Sequence, residues 1–488
     1  MAPNNWQTID RDLDRLSRVE IVTMFIGKPI AAIGLTLAFL VIVAAFGLTR
    51  FGFDSNAIII TIGAVFAAYM ALNIGANDVA NNMGPAVGAK VLRVGIALSI
   101  AAICEAAGAV LAGGKVTATV SSNIVDPTMI ANSTDFMRVM LSSSVAAAIW
   151  VNLATSIRAP VSTTHSVIGA VVGAGIIAAG LDAVNWPVMG RIAASWVISP
   201  VMGGVIAAIV LAAIKLLIIY RDDKIAAART WLPVFLGIMA GAFSAFLLIK
   251  GLNRVVQVSL GQAMTVGVIV GLMTYALSVP IIAVQSKGME NRNKSLKQLF
   301  RLPLIVSAAL LSFAHGANDV ANAVGPLAGI IAAANSGAVA PTAAVPFWIL
   351  CVGALGISLG LLTFGPRLIR MVGRQITKLN AMRAFSVALS TALTVLVASV
   401  LGMPVSSTHI AIGAVFGVGL FREWFLAKRR EGYRVEAPEI VRVAKEEYKR
   451  RKLVRRSHML TILVAWVVTV PAAGTVSCCV YLLFGLAF

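Results

Sequence analysis

The chain has 488 residues, of which 59% are hydrophobic and 12% are charged, whereas about a quarter of the residues in a soluble domain are charged. A soluble core cannot absorb that much apolar surface, so the composition excludes an ordinary soluble globular protein. The net charge of +20 would suggest nucleic-acid binding in a soluble protein. Here the basic residues lie mostly between apolar runs, so we interpret them as topology determinants that face the cytoplasm and anionic lipid. We therefore expect no nucleic-acid partner.

Apolar runs long enough to cross a bilayer as a helix, about 20 residues, recur along the chain. Because only helices and closed barrels satisfy the backbone in lipid, we predict an all-α polytopic membrane protein with about 12–13 transmembrane segments. The first 27 residues mix acids and bases and lack the basic start of a signal peptide, which indicates a cytoplasmic helix. In chain order we predict a cytoplasmic leader over 1–27, an extra span over 28–49, a first repeat over 57–182, linking spans and cytoplasmic loops over 191–302, a second repeat over 303–420, a basic cytoplasmic segment over 421–458 and a C-terminal span over 459–487.

The four cysteines carry no metal-binding or disulfide pattern. Cys104 and Cys351 stand singly inside apolar runs, and Cys478 and Cys479 are neighbours in the last predicted span. We interpret all four as packing thiols and expect no cofactor.

Two motifs occur twice in the same order. Gly75-Ala-Asn-Asp-Val-Ala-Asn-Asn-Met-Gly-Pro85 returns 241 residues later as Gly316-Ala-Asn-Asp-Val-Ala-Asn-Ala-Val-Gly-Pro326. Pro160-Val-Ser-Thr-Thr-His165 returns 244 residues later as Pro404-Val-Ser-Ser-Thr-His409. Two motifs at nearly one offset are hard to obtain by chance, so the chain contains an internal duplication.

Loop charges indicate that the two copies face opposite sides of the membrane, because short cytoplasmic loops collect Lys and Arg. Lys90 and Arg93 follow the first Asn-Asp motif, whereas the equivalent loop 332–346 has no charge. The next pair reverses: charges cancel over 113–138, but 366–383 has five basic residues and no acid. This pattern predicts inverted-topology repeats with a substrate site near the midplane at their interface.

The remaining loops fit a cytoplasmic N-terminus in the plasma membrane, or the inner membrane of a Gram-negative cell. Loop 284–302 and segment 421–458 are both strongly basic and are expected to be cytoplasmic. In this arrangement residues 140–182 and 384–420 each begin and end on one side, either as two spans or as a re-entrant hairpin.

The Asn-Asp motif places an acid in apolar surroundings. An unpaired carboxylate there costs about 2.5–3.5 kcal/mol on insertion scales, so Asp78 and Asp319 need a cation or a proton. Amide oxygens with one carboxylate suit a hard monovalent cation such as Na⁺, and asparagines flank each acid at i, i+4 spacing. The predicted cation or proton site comprises Asp78, Asp319, Asn81 and Asn322.

Small residues and prolines around the same motif predict helix breaks that would free backbone carbonyls as further ligands. They are Gly75, Gly84, Pro85, Gly316, Gly325 and Pro326. The alternative is that Asn-Asp only caps a broken helix and the small residues allow close packing.

The second motif is typical of a helix N-terminus, since Pro, Ser and Thr cluster ahead of an apolar run. Such an end offers unpaired N–H groups, a partial positive charge and hydroxyl donors, which together bind an oxyanion without Arg or Lys. The predicted anion-binding residues are Ser162, Thr163, Thr164, Ser406, Ser407 and Thr408. The alternative is ordinary capping with no ligand.

Three further polar residues lie in these segments. His165 and His409 follow the hydroxyl clusters, but no nucleophile elbow or acid partner accompanies them, so we expect no enzyme. We expect the two histidines to hydrogen-bond backbone, with a proton relay as the alternative. Glu105 has no evident duplicate and is either a further cation or proton site or part of a buried structural pair.

The doubled motifs resemble those of the inorganic phosphate transporter family, the PiT family, over about residues 57–420. The resemblance implies an inverted-repeat transporter, commonly a homodimer, that moves phosphate with Na⁺ or H⁺. It assigns the cation and phosphate sites to the two motifs, so Asn77 and Asn318 join the predicted phosphate-binding residues. The first motif reads Asn-Asp rather than the His-Asp of enterobacterial proton-coupled members, which favours Na⁺. The leader, the span at 28–49 and segment 421–458 depart from the shortest members.

These observations predict symport of inorganic phosphate with alternating access: cations at Asp78 and Asp319 raise the affinity for phosphate between the two Ser/Thr helix ends. A sulfate transporter on the same scaffold is the nearest alternative. Helix ends recognise the tetrahedral geometry of an anion better than they distinguish its protonation state. A passive anion channel and a non-transporting receptor are alternatives from other classes.

Overall fold

The computed structural model describes residue 27 and residues 30–157, 161–251, 258–336, 345–375, 379–433 and 456–487. Almost all of the predicted leader, most of the basic segment 421–458 and Pro160 of the second motif lie outside these ranges. The described residues form helices joined by short turns, with two single 3₁₀ turns and one isolated β-bridge between Val125 and Val184.

Fifteen helices are described in these ranges. They are α1 Ile30–Phe51, α2 Ser55–Gly88, α3 Val94–Ala112, α4 Gly114–Ser122, α5 Ser133–Ser156, α6 Thr163–Ala179, α7 Trp186–Ile214, α8 Lys224–Lys250, α9 Leu260–Gln285, α10 Asn293–Leu299, α11 Arg301–Ser336, α12 Phe347–Gln375, α13 Ala381–Leu401, α14 Ser407–Tyr433 and α15 Arg456–Ala487.

Among the described helices, eleven have the length and apolar composition to cross a membrane. Two more, α6 and α14, begin at the Ser/Thr motifs. These numbers agree with the predicted polytopic all-α fold.

Burial separates central helices from peripheral ones. The apolar window of α11 is 83% buried and that of α2 is 72% buried, whereas the windows of α1 and α9 are each only 17% buried. The outer helices expose large apolar side chains such as Leu272 and Leu277, as expected where hydrocarbon rather than water is the solvent. The two Asn-Asp motifs therefore lie on central helices, and among the other candidate spans of the described residues α13 is buried to a similar extent, at 78%.

Glycines let the central helices approach closely, and they do so at equivalent places in the two repeats. Gly75 of α2 lies directly against the carbonyl of Ile357 on α12, and Gly316 of α11 lies directly against the carbonyl of Glu105 on α3. A methyl group at either glycine would overlap that oxygen, so the interface requires a residue without a side chain.

The predicted helix breaks at the Asn-Asp motifs are wrong. Gly75, Gly84 and Pro85 lie inside the continuous helix α2, and Gly316, Gly325 and Pro326 lie inside the continuous helix α11. A proline removes one helical hydrogen bond, which neighbouring helices can compensate in a membrane protein. The glycines serve close packing instead. The motifs therefore offer side chains, and not freed carbonyls, to a ligand.

The chain does break ahead of each Ser/Thr motif. α5 and α6 are separated between Ser156 and Thr163, and α13 ends at Leu401 before α14 begins at Ser407. Gly402 follows α13 with φ +71°, a left-handed conformation that glycine adopts without strain. Each repeat thus contains a pair of consecutive helices, and the second helix of the pair starts at the hydroxyl cluster.

Candidate functional site

The two Asn-Asp motifs and the two Ser/Thr helix ends meet in one buried site. Asp78 and Asp319 have 1% and 0% of their surface exposed, and α6 and α14 direct their N-termini toward them. All six hydroxyl residues predicted from the second motif are buried there: Ser162, Thr163, Thr164, Ser406, Ser407 and Thr408.

Each carboxylate accepts a hydrogen bond from the second hydroxyl of its own repeat. Thr163 Oγ1 donates to Asp78 Oδ2 over 3.2 Å, and Ser407 Oγ donates to Asp319 Oδ2 over 2.8 Å. Asp78 Oδ1 also accepts from Thr408 Oγ1 of the other repeat, over 3.1 Å. The carboxylates are thus bound to the same helix ends that were predicted to hold an anion.

Asparagines of each motif reach across to the opposite repeat. Asn81 Nδ2 donates to Thr408 Oγ1 over 2.8 Å, and Asn322 Nδ2 donates to Thr164 Oγ1 over 2.9 Å. Asn322 also lies 3.3 Å from Asp319 Oδ1. The structure therefore brings Asn81 and Asn322 together with both acids, but each points its Nδ2 and not its oxygen at them, so cation binding by their amide oxygens stays a prediction.

Asn77 and Asn318 have a different environment. Asn77 Nδ2 donates to the carbonyl of Val161 over 3.4 Å. Asn318 donates to the carbonyl of Met403 over 3.2 Å and accepts from the amide of Val405 over 3.4 Å. Their amides hold the turns that precede α6 and α14, so direct contact with phosphate stays a prediction for these two residues.

The first hydroxyl of each cluster caps its helix. Ser162 Oγ accepts from the amide of His165 over 3.1 Å, and Ser406 Oγ accepts from the amide of His409 over 3.3 Å. The first two amides of each helix, those of residues 163–164 and 407–408, have no acceptor within their own helix. Two helix N-termini with free donors therefore face the site, which is a favourable environment for an oxyanion.

His315 is the site residue that the sequence reasoning missed. Its Nε2 lies 2.7 Å from Asp319 Oδ2 and 3.6 Å from Asp78 Oδ2. Its Nδ1 lies 3.2 Å from Glu105 Oε2, which favours the buried pair among the two interpretations of Glu105. A histidine directly before the second Gly-Ala-Asn-Asp, where the first copy has Ile74, was the available signal.

The three ligand atoms of Asp78, His315 and Asp319 lie within 4.8 Å of one another, which is a spacing that one cation could occupy. Two ionised carboxylates at that separation repel each other by roughly 3 kcal/mol at an effective dielectric constant of about 20. Positive charge between them removes that repulsion. The cluster therefore has the charge and the spacing to hold a cation.

The histidines after the hydroxyl clusters point elsewhere. The rings of His165 and His409 lie 4.5 Å apart and pack against Trp196 at 3.9 Å and Trp466 at 3.6 Å, respectively. Within the described part of the chain, neither ring nitrogen of His409 has a hydrogen-bond partner, so the expected backbone hydrogen bond is wrong for that residue. Stacking between aromatic rings fixes it instead.

Comparison with known proteins identifies relatives over most of the chain. A model of the phosphate transporter family matches residues 74–477. A Helicobacter pylori protein named "Putative phosphate permease" is 46% identical, covering 84% of this chain and 78% of its own length, and a Pyrococcus abyssi protein of the same description is 36% identical, covering 84% and 94%. A solved structure titled "The sodium-dependent phosphate transporter" is 32% identical, with a TM-score of 0.78 over 88% of this chain and all of that chain.

Proposed function

Because the chain belongs to the phosphate transporter family and is a multi-pass membrane protein that carries phosphate, we propose that it works by cation-coupled symport with alternating access, and that Na⁺ rather than H⁺ is the coupling ion. The observation that carries this proposal is the meeting of two buried acids with two hydroxyl-bearing helix N-termini in one site. The acids suit the cation, and the helix ends suit the anion.

Electrostatics explain why the two substrates bind together. Phosphate beside Asp78 and Asp319 alone would experience like-charge repulsion in a site from which water is excluded. A cation at the carboxylates converts that repulsion into attraction, so each substrate raises the affinity for the other. The free amides of α6 and α14 then contribute donors and a partial positive charge without needing a Lys or Arg in the membrane.

The donor set supports Na⁺. Carboxylate oxygens of Asp78 and Asp319 meet hydroxyl oxygens of Thr163, Ser407 and Thr408, and hard cations prefer oxygen ligands. The solved relative is titled a sodium-dependent transporter, which supports the same ion. Proton coupling stays the alternative, because a buried carboxylate can also carry a proton.

Alternating access follows from the duplication. We propose that the two repeats are inverted in the membrane, with the N-terminus in the cytoplasm of the plasma membrane, as the loop charges indicate. The bonds Asn81–Thr408 and Asn322–Thr164 join the repeats across the site. Movement of one repeat against the other would exchange these bonds and open the site to one side at a time. The homodimer implied by the family resemblance stays a prediction.

Uptake of labelled phosphate into proteoliposomes tests the proposed function. An inward Na⁺ gradient at equal pH on both sides is expected to drive accumulation above the external concentration, and excess unlabelled sulfate is expected to leave it unchanged. Protein-free liposomes are the control. Accumulation only with a pH gradient would reassign the coupling to protons, competition by sulfate would favour the sulfate transporter, and equilibration that ignores both gradients would indicate a passive channel.

A further inference from the structure

The two repeats match at the acids but differ in one buried polar branch. The motif offset makes His315 equivalent to Ile74 and Asn82 equivalent to Ala323. Because Gly316 packs on the carbonyl of Glu105 as Gly75 packs on that of Ile357, Glu105 is equivalent to Ile357. Three polar residues in one place thus correspond to three apolar residues in the other.

The two helix pairs, α3 with α11 and α12 with α2, keep the same register one helical turn further along. Gly108 of α3 lies against the carbonyl of Phe313, and Gly360 of α12 lies against the carbonyl of Leu72. Residues 72 and 313 are again separated by the motif offset of 241. The equivalence of Glu105 and Ile357 therefore rests on two independent contacts.

The polar residues lie in a row that ends at the site, each within 3.2 Å of the next. Asn82 Nδ2 donates to Glu105 Oε1 over 2.8 Å, Glu105 Oε2 lies 3.2 Å from His315 Nδ1, and His315 Nε2 lies 2.7 Å from Asp319 Oδ2. Asn82, Glu105 and His315 each have no exposed surface. Glu105 Oε1 thus accepts a hydrogen bond from Asn82, and Glu105 Oε2 lies at ion-pair distance from His315.

Packing alone does not account for this branch. Ile74 and Ile357 fill the corresponding space in the other half, so the fold accepts apolar side chains there. A buried carboxylate with an imidazole is expensive to desolvate and is often no more stabilising than apolar residues of similar volume. Its contact with Asp319 gives it a role in the site: partners behind a ligand orient it, and removing them typically weakens cation binding by about 10- to 100-fold.

We propose that Glu105 is a positioning residue that orients the Asp319 carboxylate through His315, and thereby makes the two acids of the site unequal in cation binding. The inference rests on the proposed symport. Both acids accept hydrogen bonds from the helix ends, but His315 Nε2 lies 2.7 Å from Asp319 Oδ2 and 3.6 Å from Asp78 Oδ2, so the row of polar side chains behind His315 bears mainly on Asp319.

The test uses three variants: Glu105→Gln, His315→Gln and the double variant that combines these two changes. The control is Ile357→Val, a conservative change at the equivalent position of the other half. Two quantities are measured: the Na⁺ concentration that gives half-maximal uptake, and the phosphate KM at saturating Na⁺. Glu105→Gln is expected to raise the first about tenfold and to change the second less than twofold. Ile357→Val is expected to change neither. Because Glu105 acts only through His315, the double variant is expected to match His315→Gln alone.

A second readout does not depend on transport. Binding of Na⁺ to the folded state raises the unfolding temperature of the purified protein, and Glu105→Gln is expected to shift that titration to about tenfold higher Na⁺. The proposal would be overturned if Glu105→Gln changed the Na⁺ dependence of uptake and the phosphate KM equally, or if the losses of uptake in the two single variants multiplied in the double variant. A Na⁺ titration of the unfolding temperature like that of the wild type would also overturn it. Wild-type protein without Na⁺-driven uptake would instead overturn the proposed function itself.

Discussion

Replacing Asp78 or Asp319 by asparagine is expected to lower phosphate uptake about 100-fold or more, because losing about 3 kcal/mol of cation binding changes a rate or affinity by roughly that factor. Asparagine keeps the size and an acceptor oxygen for Thr163 or Ser407 but removes the charge that attracts the cation. The effect is measured as the uptake of labelled phosphate into proteoliposomes under an inward Na⁺ gradient.

Asp54 provides the matched control for these variants. It precedes the first residue of α2, the helix that carries Asp78, and its side chain makes no capping hydrogen bond. Asp54→Asn is therefore expected to transport like the wild type at equal membrane insertion. Wild-type uptake by both Asp78→Asn and Asp319→Asn would remove the two acids from the mechanism.

Thr408→Val is expected to lower uptake by about 10- to 100-fold while leaving the protein folded. The Thr408 hydroxyl donates to Asp78 Oδ1 and accepts from Asn81 Nδ2, so valine, which has the same shape, leaves the buried Asp78 and the half-buried Asn81 without this partner. Each such loss costs about 1–3 kcal/mol. Thr164→Val is expected to lower uptake as well, since the Thr164 hydroxyl accepts from Asn322 Nδ2 and donates to the carbonyl of Val405.

Thr394→Val separates this effect from the loss of any buried hydroxyl. Thr394 lies on α13, next to α14 in the same hairpin, and its hydroxyl donates to the carbonyl of Ser390 in its own helix. Its replacement is expected to leave the Na⁺ and phosphate dependence of uptake unchanged. Equal losses in Thr394→Val and Thr408→Val, measured in the same proteoliposomes, would contradict the assignment of Thr408 to the site.

The repeated residues made the site predictable from sequence. Asp78 and Asp319 are conspicuous because an acid in an apolar run needs a partner, and their duplication removed most of the chance explanations. Asn81 and Asn322 followed from helical spacing, and the hydroxyl clusters followed from the residue types that begin helices. Family membership then agreed with the function that these residue types had suggested.

Features that depend on contacts between distant segments were harder to predict. Helical spacing puts Asn77 on the face of Asn81, yet the amide of Asn77 holds the backbone at Val161, 84 residues away in the chain. The glycines and prolines of the motifs suggested breaks because local propensity was the only available criterion. In the structure, neighbouring helices decide otherwise, and the glycines serve close approach.

His315 escaped prediction for a different reason. Comparing the repeats draws attention to residues that recur, and His315 is a position where the repeats differ. The same holds for Glu105, whose partner could not be identified without knowing that α3 packs against α11. Differences between duplicated halves are therefore as informative about a shared site as the identities.

Binding of labelled phosphate to the purified protein at a series of Na⁺ concentrations is the most direct test of a shared cation and phosphate site. The predicted result is that saturating Na⁺ lowers the phosphate Kd at least about tenfold, a coupling free energy of about 1.4 kcal/mol, and that Asp78→Asn removes this dependence. A phosphate Kd that is the same at every Na⁺ concentration in the wild type would contradict it.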